Sequence, residues 1–173
     1  MQGIENDGFR ITEVVSEADL RLVEKLAEDI WTEHYTPIIG SDQVSYMLEN
    51  FQSITAMREQ VNDGMVYYLI FNSSEAIGYL AIKKKVDEIF LSKIYIHADK
   101  RGQGFGKEAM TFVESMTRDL NFNVLSLTVN KNNDIALRAY EKLGFVNHGP
   151  LETDIGEGYI MDDFLMRKVL DQD

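Results

Sequence analysis

HADKRGQGFGKEAM, residues 97–110, sets glycine at alternate positions, Gly102, Gly104 and Gly106, directly ahead of a helical pattern. Removing three side chains there serves either a backbone that must turn or a group that must approach the backbone closely. The run before it, EIFLSKIYI (88–96), is β-rich, and Phe105, Ala109, Phe112, Val113, Met116 and Leu120 follow at helical spacing. A strand, a glycine-rich turn and a helix start gather free N–H groups and the positive end of a helix dipole at one point, which binds phosphate. Arg101 and Lys107 add positive charge. The alternative is a structural turn with basic residues on its surface.

Spacing excludes two nucleotide motifs. A dinucleotide fingerprint G-x-G-x-x-G would need its third glycine at position 107, where Lys107 stands; a P-loop would need Ser or Thr after Gly106–Lys107, where Glu108 stands, and glycine at Arg101.

Outward from the loop the elements follow in a definite order. Downstream, VLSLTV (124–129) reads as a strand, and Ile135, Ala136, Ala139, Tyr140 and Leu143 line a short helix ended by Gly144. GYIMDDFLMRKVL (158–170) closes the chain as a strand. Upstream, MVYYLIF (65–71), AIGYLAIK (76–83) and the run at 88–96 form an antiparallel meander punctuated by NSSE and KVD. FRITEVV (9–15) alternates as a strand. Ser16 and Asp19 then make a relative of the capping box ahead of a stripe of Leu20, Val23, Leu26, Ala27, Ile30 and Trp31. A second helical region is expected over about 41–62, on Val44, Met47, Leu48 and Phe51. The strand at 88, the helix from 105 and the strand at 124 favour a parallel crossover. The expected fold is α/β (α+β): one domain over 1–173, with a mixed, mostly antiparallel twisted sheet flanked by helices, two of them after the first strand.

Composition narrows the function. At 45% hydrophobic and 27% charged residues the chain is globular in character. With 0 Cys it has no disulfide framework, thiolate nucleophile or Cys-based zinc site, and no metal is expected. A net charge of −12 argues against nucleic-acid and anionic-membrane partners and is compatible with a cationic substrate, although an acidic surface also serves solubility. MQGIENDGFR has neither the basic start nor the apolar stretch of a signal peptide, so a cytoplasmic location is expected.

Two blocks carry a resemblance. RGQGFG (101–106) satisfies [QR]-x-x-G-x-[GA], and NDIALRAYEKLGF (133–145) resembles N-x-x-A-x-x-x-Y-[EQ]-K-x-G-F. In this order, separated by a helix and a strand, they resemble the GNAT superfamily of acetyl-coenzyme-A-dependent N-acetyltransferases over about residues 76–146. The resemblance implies that acetyl-CoA is the co-substrate. Its pyrophosphate would lie against the amides of Arg101, Gly102, Gln103, Gly104, Phe105, Gly106 and Lys107. Its pantetheine would add to the strand ending Ile94, Tyr95 and Ile96, where that strand splays from its parallel neighbour. Asn133 would bind the pantetheine arm, and it is also a favoured helix N-cap. Tyr140 would act as general acid toward the leaving thiolate, and it also falls on an apolar stripe.

The general base is not legible. Where many relatives carry Glu on the strand before the loop, Ser92 stands, between Leu91 and Lys93 and close to Phe90. Glu88 lies at that strand's start. Glu33, His34 and Tyr35 are expected after the first helix and are candidates for the acceptor cleft, Glu33 reading equally as plain helix surface; Asp162 and Asp163 face either a cationic acceptor or water. The implied reaction moves acetyl to a primary amine by direct attack through a tetrahedral intermediate. Polyamines and amino sugars fit the charge, protein lysines or N-termini are an alternative acceptor, and a non-catalytic coenzyme-A-binding module is an alternative class. The family also admits a homodimer.

Overall fold

Ser16 starts the first helix in the way its sequence suggests. Its hydroxyl accepts from the Asp19 amide, the Asp19 carboxylate accepts from the Ser16 amide, and α1 (Glu17–Ile39) runs from this capping box. The chain is seen here as a computed structural model, which describes residues 5, 6 and 8–171. Leu20, Val23, Leu26, Ala27, Ile30 and Trp31 are the buried stripe of α1. The helix continues past Trp31 to Gly40, so Glu33, His34 and Tyr35 lie within it and not after it as the apolar stripe suggested; the φ of +85° at Gly40 breaks it and starts α2 (Ser41–Phe51). The helical region expected over 41–62 is two helices, because the backbone leaves helical geometry at Gln52 and Ser53 caps α3 (Ile54–Asn62) through the Ala56 amide.

The strands β1 (Glu5–Asn6), β2 (Phe9–Glu13), β3 (Met65–Asn72), β4 (Glu75–Lys84), β5 (Ile89–Ile96), β6 (Val124–Asn130), β7 (Val146–Gly156) and β8 (Tyr159–Val169) form one sheet in the order β1-β2-β3-β4-β5-β6-β8-β7. All neighbours are antiparallel except β5 and β6, which α4 (Phe105–Asp119) connects as a parallel crossover. One face packs on α4 and α5 (Asp134–Lys142) through Ile70, Leu80, Ile89, Leu91, Val113 and Leu127; the other packs on α1–α3 through Trp31, Met57, Tyr67, Leu69 and Tyr79.

Two features position the site. β5 and β6 pair only at Ile89–Leu125 and Phe90–Ser126; beyond these rungs they diverge, β5 staying on β4 and β6 on β8. A bulge in β5 also sets Ala81 opposite Lys93 and Ile82 opposite Leu91, leaving Ser92 as the extra residue. Leu91, Ile94 and Ile96 therefore join the α4 side, while Lys93 and Tyr95 turn toward α1–α3.

β7 has no counterpart in the sequence reading. Nearly all of VNHGPLETDIG is exposed, and Gly149 and Pro150 interrupt it, so no face shows an apolar alternation; it is a strand because β8 supplies the ladder. Among the described residues no helix is long and apolar enough to cross a membrane.

Candidate active site

The glycine loop leaves β5 through a single 3₁₀ turn, Ala98–Lys100, and ends at Gly104, the N-cap of α4, whose φ is +90° and which provides no side-chain cap. The first-turn amides of α4 thus have no partner supplied by the cap. Gly102 is also left-handed, at φ +74°. Gly106 differs: its φ is not positive, and a Cβ there would meet no protein atom within 4 Å. Neither backbone strain nor packing in this chain requires glycine at 106, and the space beside it at the helix N-terminus is open.

The loop's side chains brace it. Arg101 Nε donates to the Ile96 carbonyl at 3.0 Å and its guanidinium pairs with Glu33 at 3.4 Å; Gln103 Nε2 donates to the Asp99 carbonyl at 3.2 Å. Phe105 turns inward and stacks on Phe9, ring centroids 5.9 Å apart. Lys107 is exposed.

A cavity of about 320 Å³ fills the gap where β5 and β6 diverge. Ile94, Tyr95 and Ile96 line one side, Leu127 and Val129 the other, and Asn133, Ala136 and Tyr140 of the α5 region close it. Asn133 uses both ends of its amide: Oδ1 accepts from the Ala136 amide as the cap of α5, and Nδ2 donates to His34 Nε2 at 3.1 Å. That donor requires His34 to be neutral, and burial, aided by the Arg101 charge against the opposing effect of Glu33, lowers its pKa accordingly. Tyr140 packs edge-on against Phe145 and lines the cavity, so it is a core side chain and a site side chain together. Burial, and secondarily Tyr35, raise its pKa and hold the phenol protonated.

A second cavity, about 330 Å³, lies between the sheet, α1–α3 and the β7–β8 hairpin. Trp31, Tyr35, Met47, Phe51, Ile155 and Met161 make its walls largely apolar. The Tyr35 and Tyr95 hydroxyls meet at 3.0 Å. The two cavities share Tyr35, Ser92, Lys93, Tyr95 and Thr128.

Among the described residues, one carboxyl and one amine line the second cavity besides the Tyr35 and Tyr95 phenols. Asp163 on β8 is 6% exposed; burial first, then the neighbouring Asp162, push its carboxyl up to about 6 against a stabilising hydrogen bond from Thr128. Burial pushes Lys93 down to about 8. Of the acidic candidates elsewhere, Glu88 lines neither cavity; it accepts from Ser126 Oγ at 2.8 Å and from Arg167, clasping β6 and β8 to the start of β5. Glu33 also lines neither, being engaged with Arg101 on the rim, whereas Tyr35 lines both. Asp162 pairs with Lys131. Sequence reasoning left Asp163 open between acceptor and water; its signal was a charge breaking the apolar pattern of a strand. Lys93 gave none, because the bulge that turns it is invisible in the pattern. Among the described residues no group of three or more His, Cys, Asp or Glu could hold a metal.

Comparison with known proteins agrees with this architecture. A curated relative, an uncharacterized N-acetyltransferase YycN of Bacillus subtilis (strain 168), is 28% identical over 94 residues, covering 52% of this chain and 57% of that one. The aligned part of the chain thus spans little more than half the length of this relative. Among solved structures, the fold is similar to the PaiA N-acetyltransferase of Thermoplasma acidophilum in complex with coenzyme A: TM-score 0.76, 21% identity, 93% of this chain and 98% of that one. It is also similar to a chimera of the spermidine N-acetyltransferase SpeG from Vibrio cholerae and hSSAT, at TM-score 0.69 and 18% identity over 94% of this chain and 95% of that one. The model of the acetyltransferase (GNAT) family matches residues 23–145, which include the diverging strands, the glycine loop and the Asn133–Tyr140 helix, and the chain belongs to that family.

Proposed function

We propose that this chain transfers the acetyl group of acetyl-CoA to a primary amine by direct attack. The observation that carries the reading is the junction of the two cavities at Tyr35, Ser92, Lys93, Tyr95 and Thr128, one cavity running along the open edge of β5 and the other enclosing a small apolar space. Acetyl-CoA supplies an activated thioester. The amides from Arg101 to Lys107 would hold its pyrophosphate, with Gly104 and Gly106 admitting the closest approach; the coenzyme-A complex of the similar PaiA fold supports coenzyme A as the ligand class. The β5 backbone at Ile94 and Ile96 would bind the pantetheine as another strand would, and Asn133 would flank it.

Asp163 is assigned as general base and Tyr140 as hydrogen-bond donor to the leaving thiolate. The neutral amine nitrogen bonds to the acetyl carbon to give a tetrahedral intermediate, and nitrogen gives a proton to Asp163 and thence to solvent. The C–S bond breaks as the intermediate collapses, the departing thiolate taking its proton from solvent. A free ammonium near pKa 10.4 has no lone pair and holds its proton about 4 pH units more firmly than Asp163, so it is the neutral amine fraction, its ammonium proton already lost to solvent, that attacks. The carboxylate takes the second proton once N–C bonding has made the N–H acidic. Tyr140, with its pKa raised, stabilises the thiolate (reference pKa about 8.5) by donation more than by complete transfer.

Net charge favours a cationic acceptor, and spermidine is named for one protein of similar fold. The lining carries a single carboxylate among the described residues, Asp163, set among aromatic and aliphatic walls with Gln43, Gln60, Ser92, Thr128, Asn130 and Thr153 as its neutral polar groups. One carboxylate supports a monoamine with an apolar body over a polyamine, whose further cationic groups would stand unpaired.

Thiol release from acetyl-CoA by the purified protein, across polyamines, amino sugars, amino acids and short peptides, tests the reading. Amine-dependent release is expected, and Tyr140→Phe should lower kcat on the order of 100-fold with acetyl-CoA KM within about twofold. Acetyl-CoA binding without release for any amine would mark a binding module instead.

A further inference from the structure

Lys93 is the one basic side chain lining the apolar cavity among the described residues. Its Nζ lies 3.1 Å from Ser92 Oγ, 3.5 Å from Gln60 Oε1 and 3.7 Å from Met65 Sδ, with the Tyr67 ring centroid at 5.4 Å. All these contacts are neutral. Elsewhere in the chain Lys83, Lys85, Lys100, Lys131 and Lys168 each pair with a carboxylate. On an exposed surface such pairs are worth little, whereas a cation withdrawn from water needs a partner most. A chain with 29 acidic residues supplies none to the contacts of this lysine, although a β-bulge is needed to aim it into the cavity.

We propose that the acceptor is an amino carboxylate with an apolar body, its carboxylate received by Lys93 Nζ with the Ser92 hydroxyl beside it and its amine presented toward Asp163. This assignment rests on the acetyl-transfer reading above and names the substrate class for the same cavity. Ser92 takes part because its oxygen accepts from Lys93 while its proton remains free for an anion. Gln60 accepts from Lys93 and orients it, and the hydroxyl of Tyr67 in turn donates to Gln60 at 2.5 Å. The overall charge of −12 does not oppose this, because surface charges are screened over about 8 Å at physiological salt while a cation in an apolar cavity acts at contact. Lys93 remains mostly protonated at neutral pH even with its pKa lowered by burial.

Two matched pairs test the assignment: 6-aminohexanoate with 6-aminohexanamide, and 4-(aminomethyl)benzoate with its carboxamide. In each pair the amine is remote from the altered group, so its basicity is nearly unchanged. With wild-type protein and acetyl-CoA, the carboxylate of at least one pair is expected to show a KM at least about tenfold below its amide, the usual scale for a charge-assisted hydrogen bond. Lys93→Met should raise the carboxylate KM by about the same factor and bring the two partners together. Equal KM values within both pairs for wild type, or a preference that survives Lys93→Met, would overturn the proposal. Calorimetric titration with 3-phenylpropanoate, which has no amine, gives a readout independent of turnover. Binding to wild type that weakens about tenfold in Lys93→Met supports the site, and absence of binding overturns it even if amines are acetylated. Binding of 3-phenylpropanoate without turnover of any amine would instead count against the acetyl-transfer reading and leave the anion site standing. If Lys93→Met fails to fold, the wild-type pairs and the 3-phenylpropanoate titration decide.

Discussion

Asp163 and Lys93 stand in one cavity with their proton equilibria displaced toward neutrality from opposite sides, and this has consequences for single residues. The carboxyl of Asp163 is raised from an ordinary 3.8 to about 6 by burial, with Asp162 adding to it. A raised carboxyl binds its proton more tightly folded than unfolded, so the folded state loses stability as pH climbs from about 4 to about 6, and the loss persists above. The difference corresponds to on the order of 3 kcal/mol, an upper bound because the cavity admits water. Asp163→Asn should therefore raise Tm above pH 6 and leave it unchanged below about pH 4, which calorimetry at both pH values checks. The same variant should lower kcat/KM on the order of 100-fold and remove the limb of the pH profile near 6, where activity otherwise rises as the base ionises. The stability gain follows from the raised carboxyl alone; the loss of activity and of the pH limb is what separates a site residue from a core aspartate.

At the scale of elements, the start of α4 sets a similar opposition. Gly104 is left-handed, and any L-residue there strains the backbone. Gly106 is not, and its missing side chain would meet open space. Gly106→Ala should leave stability unchanged or raise it by up to about 1 kcal/mol, because alanine is the better helix former. It should also raise the acetyl-CoA KM several-fold by placing a methyl where the pyrophosphate is assigned. Thermal melts and acetyl-CoA titrations of the variant separate the two effects, and an unchanged KM would remove Gly106 from the cradle. The diverging strands have an anchor of their own. Glu88, Ser126 and Arg167 clasp the paired end of β5 and β6 to β8. Burial alone would raise the Glu88 carboxyl, but Arg167 and Ser126 outweigh it and hold the pKa below its usual value. This stabilisation is complete above the ordinary glutamate range and fades as pH falls through the lowered value.

For the whole molecule, the gap between β5 and β6 leaves one edge of β5 without a strand partner over its C-terminal half. A ligand that supplies the missing hydrogen bonds and fills the cleft should stabilise the fold as a unit. With acetyl-CoA about 100-fold above its dissociation constant the gain is about 2.7 kcal/mol, or about 5–10 °C in Tm for a chain of this size. Coenzyme A should act similarly, and pantetheine, which lacks the pyrophosphate, should do much less. Equal shifts with coenzyme A and pantetheine would show that the glycine loop contributes nothing to binding.

The order of elements, the meander, the capping box at Ser16 and the glycine loop ahead of α4 were legible in the chain because each rests on local periodicity or on residues within one turn of each other. The family resemblance was legible for the same reason, since RGQGFG and NDIALRAYEKLGF are contiguous blocks. β7 was not, because an exposed edge strand has no buried face to write an alternation. The Ser92 bulge was not, because register is set by the partner strand, and it decides whether Lys93 faces the core of α4 or the cavity beneath α1–α3. Asp163 could be seen as a charge in an apolar strand, but its burial and its place beside Thr128 in the cavity that Tyr35 also lines required β6, β8 and α1 to be brought together. The candidate site is built from contacts between distant segments, and those follow from packing and pairing across the sheet, which local pattern does not encode.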